Sequence, residues 1–189
     1  MTEYEKTVYL FEDSIGRVDY VEHMGSDLTV VNSARVSFGN TRMELDKRDR
    51  KLIRYLISHK HTSTLEHCLI TYKFTVPLYI RSQHHRHRTW SYNEISRRYT
   101  EKDLQFYCPR EFRTQHKSNR QASNAEELID PFLWHDGETP MVRAFHPPAS
   151  QVYKEHCLHS LRLFEELVRK GVCREQARGV LPQTLYTEY

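Results

Sequence analysis

Hydrophobic and polar positions along the chain fall into short periodic segments that name most of its elements. Thr7-Val8-Tyr9-Leu10-Phe11 is rich in β-branched and aromatic residues. The turn-forming Asp13-Ser14-Ile15-Gly16 follows it, and then a second β-prone run from Arg17 to His23; together they predict a hairpin. Ser26 or Asp27 is placed to cap a short helix through Ala34, with Val30, Val31 and Ala34 on its inner side. Asp46 is placed to cap the next helix, where Leu52, Ile53, Leu56 and Ile57 recur at helical spacing.

From Cys68 to Val76 the period changes to two. Cys68, Ile70, Tyr72, Phe74 and Val76 alternate with Leu69, Thr71, Lys73 and Thr75, which predicts a strand with one buried and one more polar face. Pro77 then opens a helix from about Leu78 to His85, since proline is tolerated in a first turn. Lys117 to Glu138 is polar and without a sustained period, the signature of a long surface loop. After Pro147-Pro148, the stripe Tyr153, Cys157, Leu161, Phe164 and Val168 predicts an amphipathic helix that Gly171 terminates. Arg174 to Leu181 is expected to form a short helix ended by Pro182.

Composition narrows the class. The chain has 189 residues, 38% hydrophobic and 28% charged, enough for one domain with a core. No apolar run approaches the ~20 residues of a membrane span. The first residues, Met1 to Lys6, carry no apolar signal core, and Cys68, Cys108, Cys157 and Cys173 are scattered without a C-x-x-C pair. These features point to a cytoplasmic protein with reduced thiols. A net charge of +3 is too small to imply nucleic acid, so the distribution of charge matters more than its sum.

That charge concentrates between Gln83 and Tyr99, which hold four arginines, three histidines, two serines, one asparagine and one carboxylate. Arginine offers planar multi-donor contacts to phosphate and serine adds further donors. Ser91, Asn93 and Glu94 favour a loop. A donor-rich loop at the end of a helix that follows a strand suits an anion. The residues alone leave other readings open: a solvated surface, or a nucleic-acid-binding module in which Trp90, Tyr92 and Tyr99 stack on bases. A metal site at His84, His85 and His87 fits poorly, because the spacing is tight and Arg86 and Arg88 would repel a cation.

Arg86-His87-Arg88-x-x-Ser91-x-Asn93-Glu94-x-Ser96-x-Arg98-Tyr99 closely resembles the signature of flavin-dependent thymidylate synthases. Ala34-Arg35-Val36-Ser37-Phe38 resembles an earlier element of that family, and His61-Thr62-Ser63-Thr64-Leu65-Glu66-His67 the segment before its central strand. Ala177-Arg178-x-Val180-Leu181-Pro182 with Leu185-Tyr186-Thr187 resembles a later one. The resemblance implies an α/β fold of the α+β kind, a mostly antiparallel sheet packed with long helices in a single domain over 1–189. It implies a homotetramer with active sites between subunits. The implied reaction is methylation of dUMP to dTMP in dTTP biosynthesis, with FAD as cofactor, methylenetetrahydrofolate as carbon donor and NADPH as reductant. A close variant would yield a 5-hydroxymethyl nucleotide instead.

Site roles follow from the same resemblance. Ser63, Arg86, His87, Arg88 and Glu94 are implied to bind FAD. Glu94, Ile95, Ser96, Arg97, Arg98 and Arg178 are implied to bind dUMP, and Gln83, His84, His85 and Arg86 to reach dUMP of a neighbouring subunit. Glu94 could also pair with Arg86 or Arg98. No metal, membrane or nucleic acid is expected. With the redox step carried by a cofactor, no cysteine need be a nucleophile. Family members continue past the Tyr-Thr element with a flavin-contacting segment, a leucine-rich helix and a uracil-polarising arginine. No catalytic residue is therefore assigned within the chain. The expectation is a fragment, rather than a short homologue completed by another chain, which alone makes little dTMP. His84 and His85 also depart from the aromatic pair common before the signature.

Overall fold

The computed structural model describes residues 6–96, 98–99, 104–133 and 146–189. They form two compact units, one of residues 6–10 and 17–74, the other of residues 11–16 and the described residues from 75 onward.

In the first unit, β1 (Thr7–Tyr9) and β2 (Arg17–Met24) pair antiparallel, with Thr7 opposite Asp19. This is the hairpin the pattern predicts. Asp19 ties its strands together: the Thr7 hydroxyl donates to it at 2.8 Å, Arg17 at 3.1 Å, and Lys73 lies 3.6 Å away. The start of β3 (Leu69–Pro77) lies beside β2.

The helix α1 (Asp27–Arg35) follows Ser26, whose N–H donates to the Thr29 hydroxyl, and Val30 and Val31 are its buried residues. In α2 (Lys47–Ser58), the Asp46 carboxylate accepts from the N–H groups of Arg48 and Asp49, satisfying two donors that the first turn leaves unpaired. Asp49 in turn accepts from the Asp46 N–H at 3.2 Å. Its other oxygen receives the Arg35 guanidinium at 2.6 Å, so this fully buried carboxylate is both a cap and a link between two helices.

The second unit takes over the end of β3, which pairs antiparallel with β6 (Tyr186–Glu188), Val76 opposite Thr187. Alternation along β3 is not what the sequence predicts. Leu69 and Ile70 are both exposed, whereas Thr75, Val76 and Pro77 are all buried. The strand passes from an open end to a covered end, and position along it outweighs the face on which a residue sits.

Pro77 precedes α3 (Leu78–His84), where its missing N–H costs nothing. The N–H groups of Leu78 and Tyr79 donate to Leu185 and Gln183 carbonyls at 3.0 and 3.1 Å. These bonds fasten the helix start to the segment before β6. The predicted loop from Lys117 instead contains half of a hairpin, β4 (Phe112–Gln115) with β5 (Ser123–Ile129), with an irregular register between Arg113 and Thr114. The remainder of that predicted loop, beyond Leu133, lies outside the described residues.

The long helix α4 (Ala149–Arg169) buries Cys157, Ser160 and Phe164. Gly171, at φ +89°, ends it in the left-handed conformation that glycine adopts without a Cβ clash. Then come α5 (Arg174–Ala177) and a 3₁₀ turn, Arg178–Val180. Phe164, Ala177, Leu181 and Leu185 form the buried core of this unit. Covering a side chain such as Phe164 contributes roughly 1.5–3 kcal/mol.

Candidate functional site

The signature leaves α3 as a tight turn and then runs without regular structure from Ser91 to Ser96. Two groups of bonds hold it. First, the Tyr92 hydroxyl reaches the carbonyls of His84 and His87, at 3.0 and 2.8 Å, and so clamps the turn at the helix end. Second, the Ile95 N–H donates to the Glu188 carbonyl at 2.9 Å, and the Thr187 hydroxyl donates to Glu94 Oε1 at 2.7 Å. The loop therefore lies along β6.

Glu94 has a second donor. Arg81, in the last turn of α3, places Nε 3.0 Å from the same Oε1 atom. Sequence reading leaves Arg86 and Arg98 as the possible partners of this carboxylate. The partner found is Arg81, because the helix and the returning loop run side by side. Their side chains retain 28% and 25% of their accessible surface, so the pair is partly shielded from water.

Beside this pair lies a cleft of about 510 Å³. Glu94, Ile95 and Ser96 line it from the signature, Arg178 and Glu175 from the segment after α4, and Thr187 from β6. Arg81 and Gln183 complete its polar lining. Of the residues expected at a nucleotide site, Glu94, Ile95, Ser96 and Arg178 are thus brought to one cavity. Arg98 is exposed in the turn beyond Ser96; its N–H donates to the Ser96 hydroxyl at 3.3 Å and its guanidinium stands 5.7 Å from the Tyr99 ring centre. Arg97 lies outside the described residues.

Gln83 is exposed at the end of α3, and His84 and His85 enter an aromatic cluster. His84 Nδ1 is 2.8 Å from the Tyr189 hydroxyl, and the His85 ring lies 4.1 Å from that of Tyr92 and 5.1 Å from that of Tyr189. Burial, with the positive charges His87 and His85 can carry, lowers the pKa of His84 and favours its neutral form. Burial, reinforced by Tyr92 and Glu94, pushes the Tyr189 phenol up to about 12, so the pair meets at neutral pH as two uncharged groups. His85 Nε2 is buried without a hydrogen-bond partner among the described residues.

Arg86, His87 and Arg88 are exposed, and neither arginine makes an ion pair among the described residues. Two uncommitted guanidinium groups two positions apart are a donor set suited to a diphosphate, so these residues fit a flavin dinucleotide. Ser63 is exposed in a 3₁₀ turn, Thr62–Thr64, of the first unit, where its carbonyl accepts from the Glu66 N–H at 3.3 Å. Burial pushes the Cys108 thiol up to about 11, helped by Cys157, which makes it a poor nucleophile at neutral pH.

A family model described as thymidylate synthase complementing protein matches residues 19–189, nearly the whole chain. The chain belongs to the flavin-dependent thymidylate synthase family. A flavin-dependent thymidylate synthase of Thermus thermophilus is 38% identical over 174 residues, 92% of this chain and 58% of that protein. That of Kosmotoga olearia is 37% identical over 173 residues, 92% of this chain and 69% of its own length. The chain thus spans just under three-fifths of the Thermus relative. Among solved structures, the UMP/dUMP methylase PolB of Streptomyces cacaoi, bound with 5-Br dUMP, superimposes with a TM-score of 0.69 at 30% identity. The match covers 90% of this chain and 70% of PolB. The α+β fold with antiparallel strands is therefore the fold of flavin-dependent thymidylate synthases.

Sequence reasoning gives no role to the polar lining residues Arg81, Glu175, Gln183 and Thr187. Arg81 lies five positions before the signature, Thr187 lies inside a family-like element but carries no expected role, and Gln183 follows Pro182. Glu94 is the only carboxylate between Leu78 and Tyr99, but five arginines share that stretch, so the sequence does not single out Arg81 as its partner.

Proposed function

We propose that this chain carries the nucleotide- and flavin-binding part of an enzyme that methylates dUMP to dTMP. The observation that carries the reading is the cleft. Glu94, Ile95 and Ser96 meet Arg178 in one cavity although more than eighty positions separate them in the chain. These are the residues the family resemblance implies for dUMP.

Arg178 and Arg98 supply guanidinium groups for the nucleotide phosphate, and Arg97 belongs to the same nucleotide-binding turn. The Ser96 hydroxyl of the turn supplies a neutral donor. Positive charge fixed around the nucleotide favours negative charge developing on its ring during carbon transfer. Glu94 accepts from a ring N–H or a sugar hydroxyl. Arg86, His87 and Arg88 hold FAD through its diphosphate; Ser63, in the first unit, is a separate FAD-binding residue that the resemblance implies. When bound, the flavin supplies the hydride that reduces the transferred carbon, which comes from methylenetetrahydrofolate, and NADPH restores the flavin. The protein contributes position and electrostatics. Gln83, His84 and His85 reach the nucleotide of a neighbouring subunit in a homotetramer; the unpaired Nε2 of His85 supports this, since a buried polar atom is costly unless something pairs with it.

The test supplies the full-length protein with dUMP, methylenetetrahydrofolate, FAD and NADPH, and follows dTMP chromatographically. Formation of dTMP that requires flavin is expected. A protein that binds neither flavin nor dUMP and forms no dTMP overturns the reading. A 5-hydroxymethyl product would instead assign it to the close variant.

A further inference from the structure

The two donors on Glu94 converge on one oxygen. Arg81 Nε at 3.0 Å and Thr187 Oγ1 at 2.7 Å both bond Oε1, and among the described residues Oε2 has no hydrogen-bond partner. An ionised carboxylate is acceptor-only, with room for about four hydrogen bonds over its two oxygens. The arrangement therefore splits the group into a tethered oxygen and a free one. Thr187 is almost wholly buried and sits in a strand, paired with Val76, so its hydroxyl is a fixed point. Arg81 is carried by a helix whose start is bonded to the Gln183 and Leu185 carbonyls. Two separate elements thus hold one carboxylate on the wall of the cleft that Arg81, Glu94 and Thr187 all line.

We propose that Arg81 is a positioning residue of the nucleotide site: it and Thr187 fix Glu94 so that Oε2 faces a donor on the pyrimidine or the sugar. The proposal rests on the reading of the cleft as a nucleotide site. The competing role for a cleft arginine is direct contact with the nucleotide phosphate. The geometry points to positioning, because the Arg81 Nε–H and the fixed Thr187 hydroxyl converge on the same Glu94 oxygen; the other guanidinium N–H groups make the phosphate role the one to test against. A tethered carboxylate loses little rotamer freedom on binding, which is the advantage of preorganisation.

The two roles separate in a binding experiment on the full-length protein, using dUMP and deoxyuridine in calorimetric titrations. The variants are Arg81→Ala, Arg81→Lys, Thr187→Val, Glu94→Gln and the double variant Arg81→Ala/Glu94→Gln. Arg81→Ala is expected to weaken dUMP and deoxyuridine by the same factor, about tenfold. Arg81→Lys should recover part of the loss, because an ammonium still pairs with Oε1. The Arg81→Ala effect should largely vanish once Glu94 is glutamine, since a residue that acts through Glu94 has nothing left to act on. Thr187→Val, which removes only the hydroxyl, should produce a smaller loss in the same pattern. A loss confined to dUMP would make Arg81 a phosphate ligand and overturn the positioning role. So would full additivity of the Arg81 and Glu94 substitutions. A wild-type protein that binds neither ligand would overturn the nucleotide reading itself, and this inference with it.

Discussion

The Tyr186 hydroxyl donates to Asp13 Oδ2 at 2.5 Å, across 173 positions of sequence. The other oxygen of Asp13 accepts from the N–H groups of Ile15 and Gly16, so one carboxylate organises a turn and anchors β6 to it. Gly16 leaves room for this: a Cβ there would stand 2.3 Å from a Phe11 ring carbon and 3.1 Å from the Tyr186 oxygen.

Replacing Tyr186 with phenylalanine should cost about 1.5–3 kcal/mol, the range for a bond to a charged acceptor. Urea unfolding of both proteins measures it. A loss below about 0.5 kcal/mol would mean that water replaces the phenol at Asp13.

The same tyrosine predicts an alkaline limit. Burial, then the bond to Asp13, raises the Tyr186 pKa strongly, and burial pushes Tyr79 and Tyr189 up to about 12. In the unfolded chain these phenols ionise near ~10. Above that pH the unfolded state holds fewer protons than the folded one, so stability falls as pH rises. The contribution is complete below about pH 10 and is lost as pH climbs through the folded-state values. Unfolding free energy measured from about pH 8 to about pH 11.5 should fall more gently in Tyr186→Phe than in wild type. Parallel slopes would exclude Tyr186 as a source of the limit.

In the first unit, Asp49→Asn removes the counter-ion of Arg35 while keeping the shape. Breaking a buried pair by removing one partner costs about 3–5 kcal/mol. Asp49 is wholly buried, so about 3 kcal/mol is expected in thermal or urea unfolding. A change under about 1 kcal/mol would place the pair with ordinary surface bridges.

For the flavin, Arg86→Ala combined with Arg88→Ala should weaken FAD binding at least tenfold, since charge-assisted bonds contribute roughly 1.5–3 kcal/mol each. A fluorescence titration on chains of equal length reads this directly. Unchanged affinity would remove the loop from the flavin site.

For the nucleotide, Arg98→Ala should weaken dUMP more than deoxyuridine, because only dUMP carries the phosphate. Equal losses would contradict a phosphate contact. Tight, salt-sensitive binding of single-stranded DNA by the wild-type protein would point to nucleic acid instead.

The sequence makes some elements plain and hides others for physical reasons. Asp46 and the stripe around Phe164 announce their helices because a cap and a buried face leave chemical traces at fixed spacing. The strand Ser123–Ile129 leaves none: nearly all its side chains are exposed, so no face had to be apolar. β3 misleads for the related reason that its burial changes along its length. At the site, Glu94 and Arg178 are legible through short motifs. Arg81 is not, since its pairing depends on how α3 and the returning loop come to run side by side, and no local spacing encodes that.

The bonds from Thr187 to Glu94 and from Glu188 to Ile95 also set an order in time. Each joins residues 93 positions apart, so the signature loop leaves the ribosome well before the strand that fixes it. At the usual ~5–20 residues per second, that interval is roughly 5–20 s. For that period Glu94 and Ile95 lack the two bonds that hold the loop along β6.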